Sequence, residues 1–235
     1  MRIAMWSGPR NLSTAMMYSF AARGDCAVRD EPFYAAYLKQ TGLPHPMADE
    51  IIAAHESDPA QVAVACSGPI PGGKPHFYLK LMPHQMLDGM PMDWAEACVH
   101  VHLIRHPARV IASYGAKRAD QTLDDIGFAQ QMDLYNRLGG VIVDSQDIRE
   151  NPDAMMRALC AEIGLPFTTD MLTWPAGGLT EDGVWARHWY GAVHKSTGFA
   201  GAEGPLPALT GALQTLCDAA MPAYQALRDK ALKPM

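Results

Sequence analysis

A chain of 235 residues with 49% hydrophobic content is long enough to bury a large core as one domain, residues 1–235. Its formal net charge of −6 disfavours nonspecific nucleic-acid binding, although a local basic site for one small anion remains compatible with it. No apolar run approaches the roughly 18 residues of a membrane span, the N-terminus lacks a signal-peptide pattern, and Cys26, Cys66, Cys98, Cys160 and Cys217 are odd in number without a C-x-x-C pair. The expectation is a cytoplasmic enzyme with reduced thiols and no membrane anchor.

Apolar Ile3 to Trp6 reads as a buried strand, Gly8-Pro9 as a tight turn, and Asn11 or Ser13 as the cap of a helix from Leu12 to Arg23. Such a helix start binds anions, because its unpaired N–H groups and dipole favour negative charge; Arg10, Ser13 and Thr14 add side-chain donors there. The loop fails as a Walker A site. Laid on G-x-x-x-x-G-K-[ST] from Gly8, the second Gly becomes Ser13, the Lys becomes Thr14 and the magnesium-binding hydroxyl becomes Ala15.

Ala27 to Arg29 reads as a second strand running into Asp30-Glu31-Pro32-Phe33, at the sheet edge where open α/β folds bind ligands. Asp30 or Glu31 is a candidate general base there, or a cap for a helix from Phe33 to Lys39. Ser67 to Pro75 reads as a surface loop, and Phe77 to Leu81 as a third strand carrying Lys80 and leading to Met82-Pro83-His84. Val99 to Ile104 is the fourth strand. Cys98, His100 and His102 share one of its faces, but the apolar flanks favour packing over a metal site, and no metal is assigned.

Arg105 ends that strand, Pro107 suits the first position of a helix to Lys117, and Ser113 follows about two turns later. A helix from Leu123 to Leu138, a strand from Val141 to Val143, and a strand end, turn and capped helix over Asp144 to Glu150 come next; Asn151-Pro152 opens a helix to Ile163. Thr168 to Gly204 has no clear period and reads as a lid or binding loop, with an aromatic and basic stretch from Val184 to Phe199. A helix from Ala208 to Leu232 closes the chain. Alternating strands and helices predict an α/β fold with a mainly parallel sheet.

The Arg10, Ser13, Thr14 loop and the Arg105, Pro107, Ser113 spacing resemble two motifs of the sulfotransferases that use 3'-phosphoadenosine-5'-phosphosulfate (PAPS). The resemblance implies a three-layer α/β/α fold like that of P-loop nucleoside triphosphatases, with PAPS as co-substrate and a small-molecule hydroxyl or amine as acceptor. Arg10, Asn11, Ser13 and Thr14 then hold the 5'-phosphosulfate, and Arg105 and Ser113 hold the 3'-phosphate. Arg187 and Lys195 are candidates for the family's late basic loop, although its Arg-Lys-Gly run is absent. Lys80 is expected to contact the sulfuryl group, and His84 or Glu31 to act as base. Many cytosolic members carry Lys-x-His where this chain has Lys80-Leu81-Met82-Pro83-His84; two extended residues span about 6–7 Å, so His84 reaches the same point only if the chain turns at Pro83. Phe33, Tyr34, Tyr78 and Trp94, with Met16, Met17, Met82, Met86, Met90 and Met92, are candidates for an acceptor pocket or for core. The alternatives are an ATP- and magnesium-dependent small-molecule kinase and a non-catalytic 3'-phosphonucleotide-binding protein. Oligomeric state and acceptor identity are open.

Overall fold

The computed structural model describes residues 1–116 and 121–234. Five strands, β1 (Arg2–Ser7), β2 (Cys26–Asp30), β3 (His76–Leu81), β4 (Cys98–Ile104) and β5 (Val141–Asp144), form one parallel sheet in the order β2-β3-β1-β4-β5. The helices are α1 (Ser13–Ala22), α2 (Tyr34–Thr41), α3 (Ala48–Ala54), α4 (Pro59–Ser67), α5 (Pro107–Gly115), α6 (Leu123–Ile126), α7 (Phe128–Leu138), α8 (Ser145–Glu150), α9 (Pro152–Glu162), α10 (Ala186–Trp189) and α11 (Gly211–Arg228).

Alternation along each strand divides the core between the two faces of the sheet. Ile3, Met5, Val28, Tyr78, Val101, Leu103 and Val143 pack against Met16, Met17 and Phe20 of α1 and Met155, Met156 and Leu159 of α9. On the opposite face, Ala4, Trp6, Phe77, Leu79 and Leu81 meet Ala36 of α2 and Val62, Ala63 and Cys66 of α4, while Ile104 and Ile142 pack under α5 and α11. The strands are thus covered on both sides, as a parallel sheet requires. Among the described residues, no helix is long and apolar enough to cross a membrane.

The five strands lie within a residue or two of their expected positions, but several helices differ. The segment expected to run unbroken from Leu123 to Leu138 is two helices, because Gly127 adopts φ 69° and serves as both the end of α6 and the start of α7. The last helix begins at Gly211 rather than Ala208 and stops at Arg228, after which the Leu232 N–H donates to the Ile142 carbonyl at 2.8 Å. The Pro107 helix ends at Gly115, and the Lys117 end of the expected helix lies outside the described residues. Helices α3 and α4 were not anticipated, although Asp58-Pro59 is a strong start signal: the Asp58 side chain caps the Ala60 N–H at 2.9 Å.

The shared face of β4 is structural. His100 Nδ1 accepts from Trp6 Nε1 at 3.1 Å, and His102 Nε2 lies 3.0 Å from the Gly139 carbonyl. Among the described residues, no group of three or more His, Cys, Asp or Glu is placed to hold a metal ion.

Candidate active site

The sheet order places β1 between β3 and β4, so the chain leaves β1 in one direction and returns to its other side later. Ligands of open α/β sheets bind outside the carboxyl ends of strands at such a switch point. A cavity of about 350 Å³ lies there, and every strand contributes a lining residue beyond its carboxyl end or close to it: Arg10 and Ser13 after β1, Glu31 after β2, Lys80 and His84 from the end of β3, Arg105 after β4 and Arg149 after β5.

The loop after β1 takes an unusual path. Arg10 and Leu12 both lie in the left-handed region, with φ 62° and 76°, a conformation costly for residues with a Cβ. The expected cap is not formed: Leu12 occupies the N-cap position without a side-chain bond, and Asn11 instead donates from Nδ2 to the Leu103 carbonyl at 3.2 Å. Asn11 is therefore buried outside the lining, where it ties the β1 loop to β4. Gln131 of α7, also buried, reinforces this tie by donating to the Trp6 and Leu103 carbonyls and accepting from the Gly8 N–H. With no side chain capping α1, its first turn of Ser13, Thr14 and Ala15 lines the cavity with the positive end of the helix.

The two sequence motifs meet in space. Arg10 Nε donates to Ser113 Oγ at 3.0 Å, and Arg105 donates from one terminal nitrogen to the Arg10 carbonyl at 2.6 Å. Burial, and then the positive charge of Arg105, lower the Arg10 pKa from its ordinary value. Among the described residues, no carboxylate pairs with Arg10, so the site holds a cation whose natural complement is an anion.

A second set of groups forms the wall opposite. The parallel register sets Asp30 of β2 beside Lys80 of β3. Lys80 Nζ donates to Asp30 Oδ1 at 2.8 Å, Glu31 Oε1 at 2.6 Å and the Tyr190 hydroxyl at 2.6 Å, which uses all three ammonium donors. Lys80, expected to contact a transferring group, lines the cavity with its side chain, while its amine is buried and bonded within this cluster. Burial raises the Asp30 pKa, with the charge of Lys80 opposing; burial also raises that of Tyr190, whose hydroxyl donates to Asp30. Glu31 is not a cap. It sits at φ 35°, lines the cavity, and accepts a second bond at Oε2 from Gln85 Nε2 at 2.7 Å. The short helical turn Pro83–Gln85 turns the chain after β3, and His84 lines the same cavity with its ring edge-on to Tyr37, centroids 5.5 Å apart.

The late segment enters differently from expectation. Arg187 is exposed and ion-paired with Glu50, and Lys195 is exposed; neither lines the cavity. From this segment Trp189, Tyr190, Ala192, Val193, Ser196, Gly198 and Ala200 line it instead. Of the aromatic residues considered for an acceptor pocket, Tyr34 lines the cavity, whereas Phe33 stacks on Trp94 in the core, centroids 5.5 Å apart at 27°, and Tyr78 is fully buried. Met82 is the one considered methionine in the lining. The sequence singled out neither Arg149, Tyr114, Gln85 nor His45, all lining residues. The Asp144 cap of α8 was legible, but placing Arg149 beside Arg105 required knowing that β5 pairs with β4.

Fold and site thus define a parallel α/β protein with a cationic pocket at the carboxyl edge of its sheet. The sequence model of the sulfotransferase domain matches residues 1–231, and the chain belongs to that family. Among solved structures it is similar to the sulfotransferase domain of the Synechococcus PCC 7002 olefin synthase, with a TM-score of 0.56, 20% identity and coverage of 93% of this chain and 94% of that one. The sulfotransferase domain from the curacin biosynthetic pathway gives a TM-score of 0.53 and 15% identity over 92% of this chain and 96% of that one. Two Arabidopsis thaliana proteins named branched-chain-amino-acid aminotransferase-like protein 2 and protein 1 are 38% and 34% identical over 86% and 97% of this chain. The chain spans only 36% and 41% of their lengths.

Proposed function

We propose that residues 1–235 act as a single domain that transfers a sulfuryl group from PAPS to a hydroxyl or amine of a small-molecule acceptor. The observation that carries this reading is the joining of Arg10 and Arg105, from two strand-to-helix turns, through Ser113 and the Arg10 carbonyl. Two anion sites so linked suit a nucleotide with charge at both its 5' and 3' positions. Arg10, Ser13, Thr14 and the first turn of α1 fit the 5'-phosphosulfate; Arg105 and Ser113 fit the 3'-phosphate, with Arg149 adjacent.

In the transfer, the acceptor oxygen or nitrogen forms a bond to sulfur while the bond from sulfur to the bridging phosphate oxygen breaks. The electron pair stays on the departing 5'-phosphate, whose charge Arg10 and the helix terminus stabilise. The acceptor proton passes to His84. Glu31 is less suited to that step, because both its oxygens already accept hydrogen bonds from Lys80 and Gln85; it instead orients the acceptor, and Lys80 positions Glu31. A kinase reading fits less well, since Thr14 and Ala15 stand where a Walker A loop has its lysine and metal-binding hydroxyl.

The test is calorimetric titration with 3'-phosphoadenosine-5'-phosphate (PAP), AMP and ATP in the absence of magnesium, followed by an acceptor screen with PAPS. The expected result is a preference for PAP that Arg105→Ala weakens about tenfold or more, as loss of charge-assisted hydrogen bonds predicts. His84→Gln is expected to retain PAP binding and to lower turnover by about 10²-fold or more. A preference for ATP, or PAP binding indifferent to Arg105, overturns the reading.

A further inference from the structure

One carboxylate sits where the proposed nucleotide needs an anion. Glu203 lies in the segment of residues 200–210, which has no regular structure, yet its side chain is only 6% exposed because three guanidinium groups enclose it. Arg105 pairs with Glu203 Oε1, Arg109 Nε lies 3.1 Å from Oε2, and Arg149 reaches Oε1 at 2.7 Å. The same arginines hold the neighbouring backbone: Arg149 donates to the Gly201 carbonyl at 2.8 Å and Arg109 to the Gly204 carbonyl at 2.5 Å. Among the described residues, every hydrogen bond anchoring 200–205 to the rest of the protein comes from Arg105, Arg109 or Arg149. Burial raises the Glu203 pKa, but the hydrogen bond and charge of Arg105, with Arg149 and Arg109, outweigh it and hold the carboxyl below its usual value. The strap adjoins the cavity directly, since Ala200, Arg105 and Arg149 all line it.

Three converging arginines satisfied by one monoanionic carboxylate form a site better matched to a phosphate dianion. Left open, such a site binds any small oxyanion. We infer that Glu203 is a specificity-determining residue: its carboxylate is an internal competitor that keeps free phosphate and sulfate out of the arginine site and yields to the 3'-phosphate of a nucleotide. This rests on the PAPS reading for the identity of the nucleotide, but not for the competition itself. A nucleotide anchored at the Arg10 end delivers its 3'-phosphate at high effective concentration, whereas a free anion must displace Glu203 unaided. The population with Glu203 seated lowers apparent affinity in proportion to the fraction it occupies.

Wild type, Glu203→Gln and Glu203→Asp are compared by titration with PAP and with AMP, and by thermal shift with inorganic phosphate alone. Glu203→Gln removes the competing charge with little change of shape; Glu203→Asp keeps the charge on a shorter side chain and guards against misfolding of the first variant. The expected result is PAP affinity raised about fivefold or more in Glu203→Gln, AMP affinity unchanged, and stabilisation by millimolar phosphate that wild type lacks, with Glu203→Asp between the two. If Glu203 only orders the arginines, PAP binding weakens in Glu203→Gln and phosphate adds no stability; that outcome, or no change in either arm, overturns the inference. Phosphate stabilisation of Glu203→Gln with no PAP binding by any variant leaves the competitor standing and removes the PAPS reading.

Discussion

Lys80 shows how one side chain sets the character of a site wall. Its ammonium is enclosed with two carboxylates and a tyrosine hydroxyl, and removing it leaves Asp30 and Glu31 without the cation that pairs with both. Loss of one partner from a buried ionic cluster costs about 3–5 kcal/mol, because the remaining charge keeps its desolvation penalty. Lys80→Met is therefore expected to lose about that much in denaturant melts at neutral pH. The Asp30 pKa is already raised by burial, and without Lys80 it rises further. An acid whose folded pKa lies above its unfolded value contributes stability at low pH that is lost as pH rises through the folded pKa. The deficit of Lys80→Met thus shrinks as pH falls toward the ordinary carboxylate range, and adding Asp30→Asn recovers part of it. A deficit independent of pH, or none, shows that Lys80 does not balance these carboxylates.

Elements carry these residues to the cavity, and one junction between elements bears directly on His84. Gly127 ends α6 and begins α7 at φ 69°, and a Cβ there lies 3.6 Å from His84 Nδ1. Left-handed backbone costs an L-residue about 1–2 kcal/mol, so Gly127→Ala is expected to destabilise by that amount with an unchanged denaturant m-value. A neutral effect means that the α6–α7 junction shifts freely. This junction also marks the limit of what the sequence disclosed. The strands were legible because buried parallel strands are short apolar runs, and the anion loops because Arg10 and Arg105 each sit at a strand-to-helix turn. The break at Gly127 was not, since one glycine inside a helical pattern is tolerated at modest cost and does not by itself mark an end. Lys80 and His84 were singled out from their places near the end of β3 and just beyond it, but the saturation of Lys80 depends on the register Asp30 to Lys80 and on Tyr190, 110 residues away. Long-range pairing of that kind leaves no local pattern. Glu203 was hidden for the same reason: its three partners come from the turn after β4, from α5 and from α8.

At the scale of the whole molecule, the chain is acidic overall yet gathers Arg10, Arg105, Arg109 and Arg149 at one end of its sheet, while burial on β4 lowers the pKa of His100 and His102. His102 is the strongest case. It is fully buried on β4, and burial lowers its pKa to about 4, with the bond to the Gly139 carbonyl opposing and His100 adding to the shift. The unfolded chain takes up this proton near pH 6.5, and the folded protein only near pH 4. Between those values the unfolded state binds more protons, so stability rises with pH across the window and is lost on acidification. From pH 7.5 to 5.0 the His102 contribution falls by about 2 kcal/mol. His55, His76, His100 and His106 are also shifted down by burial, so wild type has further acid sensitivity. Those four remain in His102→Gln, whose side chain keeps an amide donor for the Gly139 carbonyl but has no proton to gain. Denaturant melts of the two proteins at pH 7.5 and 5.0 isolate the difference: His102→Gln is less stable than wild type at the higher pH and loses about 2 kcal/mol less between the two. Parallel losses mean that His102 takes its proton without unfolding, through a local opening of its contact with Gly139.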